Sequence, residues 1–240
     1  MVQIVKRLKQ DIMRQFIHFT LIIASLFICS CSNSSEVNDN QIIDVIADDG
    51  HNYKCPDSNH PHAIDLGLPS GTLWACCNVG ATKPEEFGGY YAWGEIETKD
   101  VYDWNSYIHC DGTRETCHDL GHDIAGTQYD VAHVKWGGKW RMPSYEEVME
   151  LKKNTMPVFT IEKEVKGIII KNRYGGHIFI PVCDYKHAFD TGSIGEGHYW
   201  ISTTSNNSGE LSDYLFFDTD NFYTKNCLRY FGLSIRPVCK

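Results

Sequence analysis

Apolar and polar positions along this chain follow mostly the two-residue period of half-buried strands, not the 3.6-residue period of helices. Seven stretches rich in β-branched and aromatic residues read as strands: 72–80, 90–95, 167–172, 177–183, 198–203, 213–218 and 233–239. Gly, Asn and Asp punctuate them, as turn chemistry requires. Only two stretches read as helices. The weaker is "TQYDVAHVKW" (127–136), and the stronger grows out of "KWRMPSYEEVMEL" (139–151). In the latter Pro143 shapes the approach, Ser144 is placed to cap, and Glu147 three residues on closes a capping box. Tyr145, Val148 and Met149 form an apolar stripe. Glu146 and Glu147 sit at the positive end of the helix dipole, Lys152 and Lys153 near its negative end, and Asn154 and Pro157 end the helix. The pattern predicts an α+β domain in which an amphipathic helix docks on a sheet.

The pattern is different before residue 63. Lys6, Arg7, Lys9 and Arg14 precede the apolar run "LIIASLFIC" (21–29), and a polar stretch follows. A basic segment, a short apolar run and small residues read as a secretory signal over 1–30, with Met13 an alternative start. The run is shorter than the ~20 residues a spanning helix needs. Ile28-Cys29-Ser30-Cys31 resembles a bacterial lipobox with Cys31 as the lipidated residue, so the expectation is an outer-membrane lipoprotein of the cell envelope held by its lipid alone. Residues 31–62 read as a polar, acidic tether with a short strand over 42–46, and 63–240 as one domain.

Composition narrows the partners. The chain has 240 residues, 42% of them apolar and 22% charged, which is globular, and its formal charge is −9. Losing 1–30 removes four basic side chains and one acidic one, leaving the remainder more acidic by three charges. Such a protein repels phosphate backbones, so nucleic acid is a poor partner. Ten cysteines in an oxidising compartment permit disulfides. Cys110 and Cys117 bracket the polar turn "CDGTRETC" and are the expected pair; neighbouring Cys76 and Cys77 are expected on opposite faces of a strand.

Several stretches, in order, carry a family resemblance: "IDLGLPSGTLWACCNVGATKPEEFGGYYAWGE" (64–95), "YDVAHVKWGGKWRMPSYEEVMEL" (129–151), "GGHIFIPVC" (175–183), "HYWISTT" (198–204) and "RYFGLSIRPV" (229–238). They resemble the Fibrobacter succinogenes major paralogous domain (FISUMP), common in surface lipoproteins of gut Bacteroidetes. That resemblance implies a C-type-lectin-like fold of twisted antiparallel strands, two short helices and long irregular loops on one face. The same fold serves formylglycine-generating enzymes and the variable proteins of diversity-generating retroelements. It makes Arg141, Pro143, Ser144 and Glu147 scaffold residues, not reactive ones.

Candidate chemistry is sparse. Formylglycine-generating enzymes use paired thiols, the second followed by x-Arg-Tyr. Here Cys227-Leu228-Arg229-Tyr230 matches the second half, but the partner position is Phe222, and one thiol cannot form the paired-sulfur site. His109, Cys110, Cys117, His118 and His122 gather possible zinc ligands at a spacing that fits no standard finger, and a disulfide would remove both thiolates. "DTDN" (218–221) reads either as oxygen ligands for calcium or as a hairpin turn. No metal, cofactor or catalytic residue is therefore expected. Between Thr203 and Asn226, 16 of 24 residues are Asn, Ser, Thr, Asp or Tyr, a composition like an antibody paratope. The expected binding surface is the strand-loop-strand segment 203–230, with Tyr214, Phe222, Tyr223 and Tyr230 as aromatic contacts. A second possibility is a stacking platform for sugar rings among Trp93, Tyr102, Trp104 and Tyr107 of the earlier loop region, with Trp104 the better surface candidate. The predicted function is non-catalytic binding of an extracellular glycan or protein. A component of a surface fibre and an oxidase related to formylglycine-generating enzymes are the alternatives.

Overall fold

Alternation between Leu211 and Leu228 folds as a long hairpin, and the rest of the domain is assembled around pieces of this kind. In the computed structural model, residues 60–172, 176–188, 192, 195–204 and 209–240 are described. The signal, Cys31, the tether up to residue 59 and residues 205–208 lie outside them.

Nine strands and two helices follow in chain order among these residues. They are β1 (Ala63–Asp65), β2 (Leu73–Ala75), α1 (Val131–Trp136), α2 (Tyr145–Asn154), β3 (Met156–Glu162), β4 (Val165–Lys171), β5 (His177–Pro181), β6 (Gly197–Trp200), β7 (Leu211–Phe217), β8 (Phe222–Leu228) and β9 (Val238–Cys239). Three three-stranded sheets result, ordered β1-β2-β9, β3-β4-β5 and β6-β7-β8, with every strand pairing antiparallel. The α+β class expected from the pattern is what forms: small antiparallel sheets with two helices. At Gly167 and Gly197 the rings of Phe179, diagonally across, and Phe217, directly opposite, lie where a Cβ would stand, so both positions require glycine.

Both helices are fixed by their caps. Asp130 begins α1, its Oδ1 accepting from the N–H groups of Ala132 and His133, while Oδ2 accepts from Gly126 and Met142. Ser144 and Glu147 form the reciprocal capping box of α2. Glu147 is also gripped bidentately by Arg141 at 2.6 and 2.7 Å and accepts from the Thr72 hydroxyl at 3.0 Å. Burial would raise this carboxyl, but the Arg141 and Ser144 donors outweigh it and hold it below the usual range.

Two apolar clusters form the core. One joins Trp74, Val148, Leu151, Ile168, Ile180, Tyr199 and Phe217, and the other joins Trp93, Ile124, Met142, Trp200, Phe216 and Ile235. Arg236, 1% exposed, is the polar staple between sheets. It donates to Asn78 Oδ1 at 2.8 Å and to the carbonyls of Ala75 on β2 and Phe179 on β5, both at 3.0 Å.

The strand pattern needs correction in several places. β1 was not anticipated, and of 233–239 only Val238–Cys239 is a strand, Leu233 and Ser234 making single bridges. Residues 90–95 contribute a single bridge, Tyr91 to Leu233, because Gly88 and Gly94 take positive φ on either side and bend the chain out of register. β3 was not anticipated: Pro157 ends the helix, as read, but also sits in an edge strand, where its missing N–H costs no ladder bond. Cys76 and Cys77 lie in a bend just past β2, and their side chains interact, so they do not point to opposite faces.

Candidate functional site

Asp218, Thr219, Asp220 and Asn221 close the β7–β8 hairpin beyond its last pair, Phe217 with Phe222. Asp218 organises the turn. Its Oδ1 accepts from the backbone N–H groups of Asp220 and Asn221 at 2.8 Å, and the Asn221 amide donates to both carboxylate oxygens at 2.9 Å. The Asp220 N–H first, then the Asn221 amide, holds the Asp218 carboxyl below its usual range. The stretch "DTDN" forms the hairpin turn, and its first carboxylate is committed to the turn's own N–H groups and the Asn221 amide. Thr219, Asp220 and Asn221 are exposed at the tip.

Beside this turn lies a groove of about 410 Å³, within the usual range for small-molecule sites. Lys152 of α2, Pro157 and Phe159 of β3, and Ile168 of β4 contribute from the neighbouring elements; the turn, Phe222 and Tyr223 contribute from the hairpin. Aromatic and aliphatic surface is thus bordered by a carboxylate, an amide, a hydroxyl and an ammonium. Flat apolar surface beside planar hydrogen-bonding groups suits a ligand with both apolar faces and hydroxyl edges, as a sugar ring has.

The four aromatics expected to act together on 203–230 are separated, and Trp104, the candidate for a second platform, joins one of them. Phe222 and Tyr223 line the groove. Tyr214 does not reach the surface: it is 7% exposed, stacked on His198 and edge-on to Trp200, because β7 is the central strand of its sheet and is buried on both faces from Ser212 to Phe217. Tyr230 is 6% exposed, with its hydroxyl 2.8 Å from His187 Nε2. Half-buried Trp104 packs edge-on against Tyr230 with ring centroids 4.7 Å apart. Trp104 and Tyr230 therefore belong to a third apolar cluster, with Tyr102, Tyr107 and Cys110. This cluster carries the Cys110–Cys117 disulfide, so neither thiol of the His/Cys-rich loop is available to a metal.

Cys227 packs at the margin of the second core cluster. Burial, and then the Asp213 carboxylate, pushes its thiol well above the ordinary range, which disfavours the nucleophilic thiolate. Arg229 is buried, with its guanidinium 4.3 Å above Trp93 and its Nε donating to Leu211 O and Ser212 Oγ.

Among the described residues one group of three metal-competent side chains occurs: His60, His62 and Cys76, whose ligating atoms lie within 4.8 Å of one another. The Cys76 thiol is lowered to about 4, first by a hydrogen bond with Cys77, against burial, and then by the His62 N–H and both imidazoles. The sequence reading missed this group because it drew the boundary of the domain at residue 63. The pattern His-Pro-His followed by Cys-Cys fourteen residues later was the available cue. No family model, curated protein or solved structure matches the chain.

Proposed function

We propose that this chain is a non-catalytic binding module of the cell envelope, held by a lipid on Cys31, whose domain is C-type-lectin-like and akin to the FISUMP domains. Its ligand is an extracellular glycan, taken in the groove beside the β7–β8 turn. The observation that carries this reading is the composition of that groove, with Phe159, Phe222 and Tyr223 beside Asp220, Asn221 and Lys152. The small antiparallel sheets, the capped helix α2 and the long irregular segments 76–130 support the lectin-like architecture. The basic segment, short apolar run and Cys31 support the envelope location.

A second reading rests on β3. This edge strand exposes Met156 at 75%, Val158 at 50% and Ile161 at 62%, an apolar rim able to pair with another strand. It favours a component of a surface assembly.

Probing a glycan array with the full chain separates the two. Saturable glycan binding that falls at least about tenfold in Tyr223→Ala, and persists in Trp104→Ala, supports the groove. Absence of glycan binding, together with concentration-dependent self-association that Val158→Lys abolishes, would replace it with the assembly reading.

A further inference from the structure

The antiparallel register of β1 and β2 explains why His60, His62 and Cys76 meet. Ala63 pairs with Ala75, and the ladder runs one step further: the Cys76 N–H donates to the His62 carbonyl at 3.0 Å. His62 and Cys76 thus form the next cross-strand pair. His60, two residues earlier, brings its ring to the same sulfur. The His60 ring stands edge-on to that of His62, centroids 5.1 Å apart. His60 Nδ1 is 3.2 Å and His62 Nδ1 is 3.7 Å from Cys76 Sγ, and the His62 N–H donates to the same sulfur at 3.1 Å.

We infer that these three side chains form a binding site for a zinc-class divalent ion. The spacing fits. With Zn–S near 2.3 Å and Zn–N near 2.0–2.1 Å, two ligands of a tetrahedral ion stand about 3.6 Å apart, and the two observed sulfur–nitrogen separations lie on either side of that value. The donor set fits as well, since one thiolate and two imidazoles suit a borderline-soft d-block ion and would hold calcium or magnesium poorly. The N–H of His62 on the sulfur is the type of outer hydrogen bond that orients a ligating thiolate. Cys76 is 3% exposed while both histidines are half-buried, so the site opens to solvent on the imidazole side, where a water completes four-coordination.

The ion would tie the segment that leads into the domain to β2. It links residues 60–62 to residue 76 as a disulfide would, but reversibly and under the control of metal supply. Binding to the folded state alone raises stability by mass action. The site is separate from Cys227 and from the groove, so it does not depend on the glycan reading.

Cobalt(II) titrated into the reduced, metal-stripped full chain tests the inference, because a thiolate–cobalt bond gives a charge-transfer band and four-coordination gives intense visible bands. One equivalent should saturate both bands, with zinc displacing the cobalt. Cys76→Ser should abolish the charge-transfer band, while His60→Ala and His62→Ala should each weaken binding at least about tenfold. Cys227→Ser should change nothing. Half-exposed His60 can be replaced without touching the core, so its result stands even if Cys76→Ser folds poorly. The inference is overturned if no saturable band appears, if the band survives in Cys76→Ser, or if His60→Ala and His62→Ala both bind as the parent does. A Cys76–Cys77 disulfide found by mass spectrometry in the purified, unreduced chain would equally overturn it.

Discussion

Arg236 and Asp220 are both charged and lie in one domain, yet their surroundings are opposite. Arg236 is 1% exposed, and its guanidinium donates to three fixed acceptors on different elements. Asp220 stands exposed at a hairpin tip, where its side chain takes one hydrogen bond from the adjacent Thr219 hydroxyl. Arg236 is fully committed to fixed acceptors and has nothing to offer a ligand. At the hairpin Asp218 and Asn221 are committed to the turn, and Asp220, with its one bond from Thr219, is the carboxylate left with open acceptor sites beside aromatic surface. That difference separates a residue that holds the fold from one that can recognise something. Polarity or aromaticity alone does not, and Tyr214 and Tyr223, on one hairpin, show it.

The comparison can be broken at its rigid end first. Arg236→Ala should cost about 4 kcal/mol in urea unfolding, because three acceptors lose their donor inside a closed core. A loss under about 1 kcal/mol would mean that water replaces the guanidinium and that the staple is not structural. Asp130→Asn comes next. One amide oxygen cannot accept the four backbone N–H groups that the carboxylate now satisfies, and a loss of about 3 kcal/mol is expected.

Glu147→Gln should be milder, about 1.5 kcal/mol at neutral pH, since the amide keeps part of the network with Arg141 and Thr72. Its pH dependence is diagnostic. The folded carboxyl titrates below its unfolded value of about 4.3, so its contribution is complete above that pH and disappears as pH falls through the folded value. Parent and variant stabilities should therefore converge in acid, and parallel curves would show that the Arg141 pairing is not the cause. The smallest effect on stability belongs to the groove: Tyr223→Ala should cost about 1 kcal/mol while removing ligand binding.

Much of the frame was legible in the chain itself. The capping box at Ser144 and Glu147, the helix they start, the α+β class and the turn at 218–221 all follow from local residue types whose physics acts within a few positions. Period-2 patterning also located most strands. What it could not give was how deeply each aromatic of the hairpin is buried. Tyr214 and Tyr223 lie on the same face, since Tyr223 pairs with Phe216, but Tyr214 sits on the central strand β7 against His198 and Trp200 whereas Tyr223 sits half-buried on the edge strand β8. Tyr230 and Trp104 were drawn into a disulfide-bearing cluster by a loop whose course has no local code. The His60, His62 and Cys76 convergence likewise depends on a strand register, which is a property of two segments at once.

The central claim is that the groove beside residues 218–223 takes the ligand while the buried aromatics only hold the frame. The most direct measurement is isothermal titration of the best glycan from the array into the parent chain, Tyr223→Ala, Asp220→Ala and Trp104→Ala, each first shown to melt cooperatively. The account predicts that Tyr223→Ala and Asp220→Ala each lose at least about tenfold in affinity and that Trp104→Ala binds as the parent does. Unchanged binding in the two groove variants, with loss in Trp104→Ala, would contradict it and move the site to the disulfide-bearing loop.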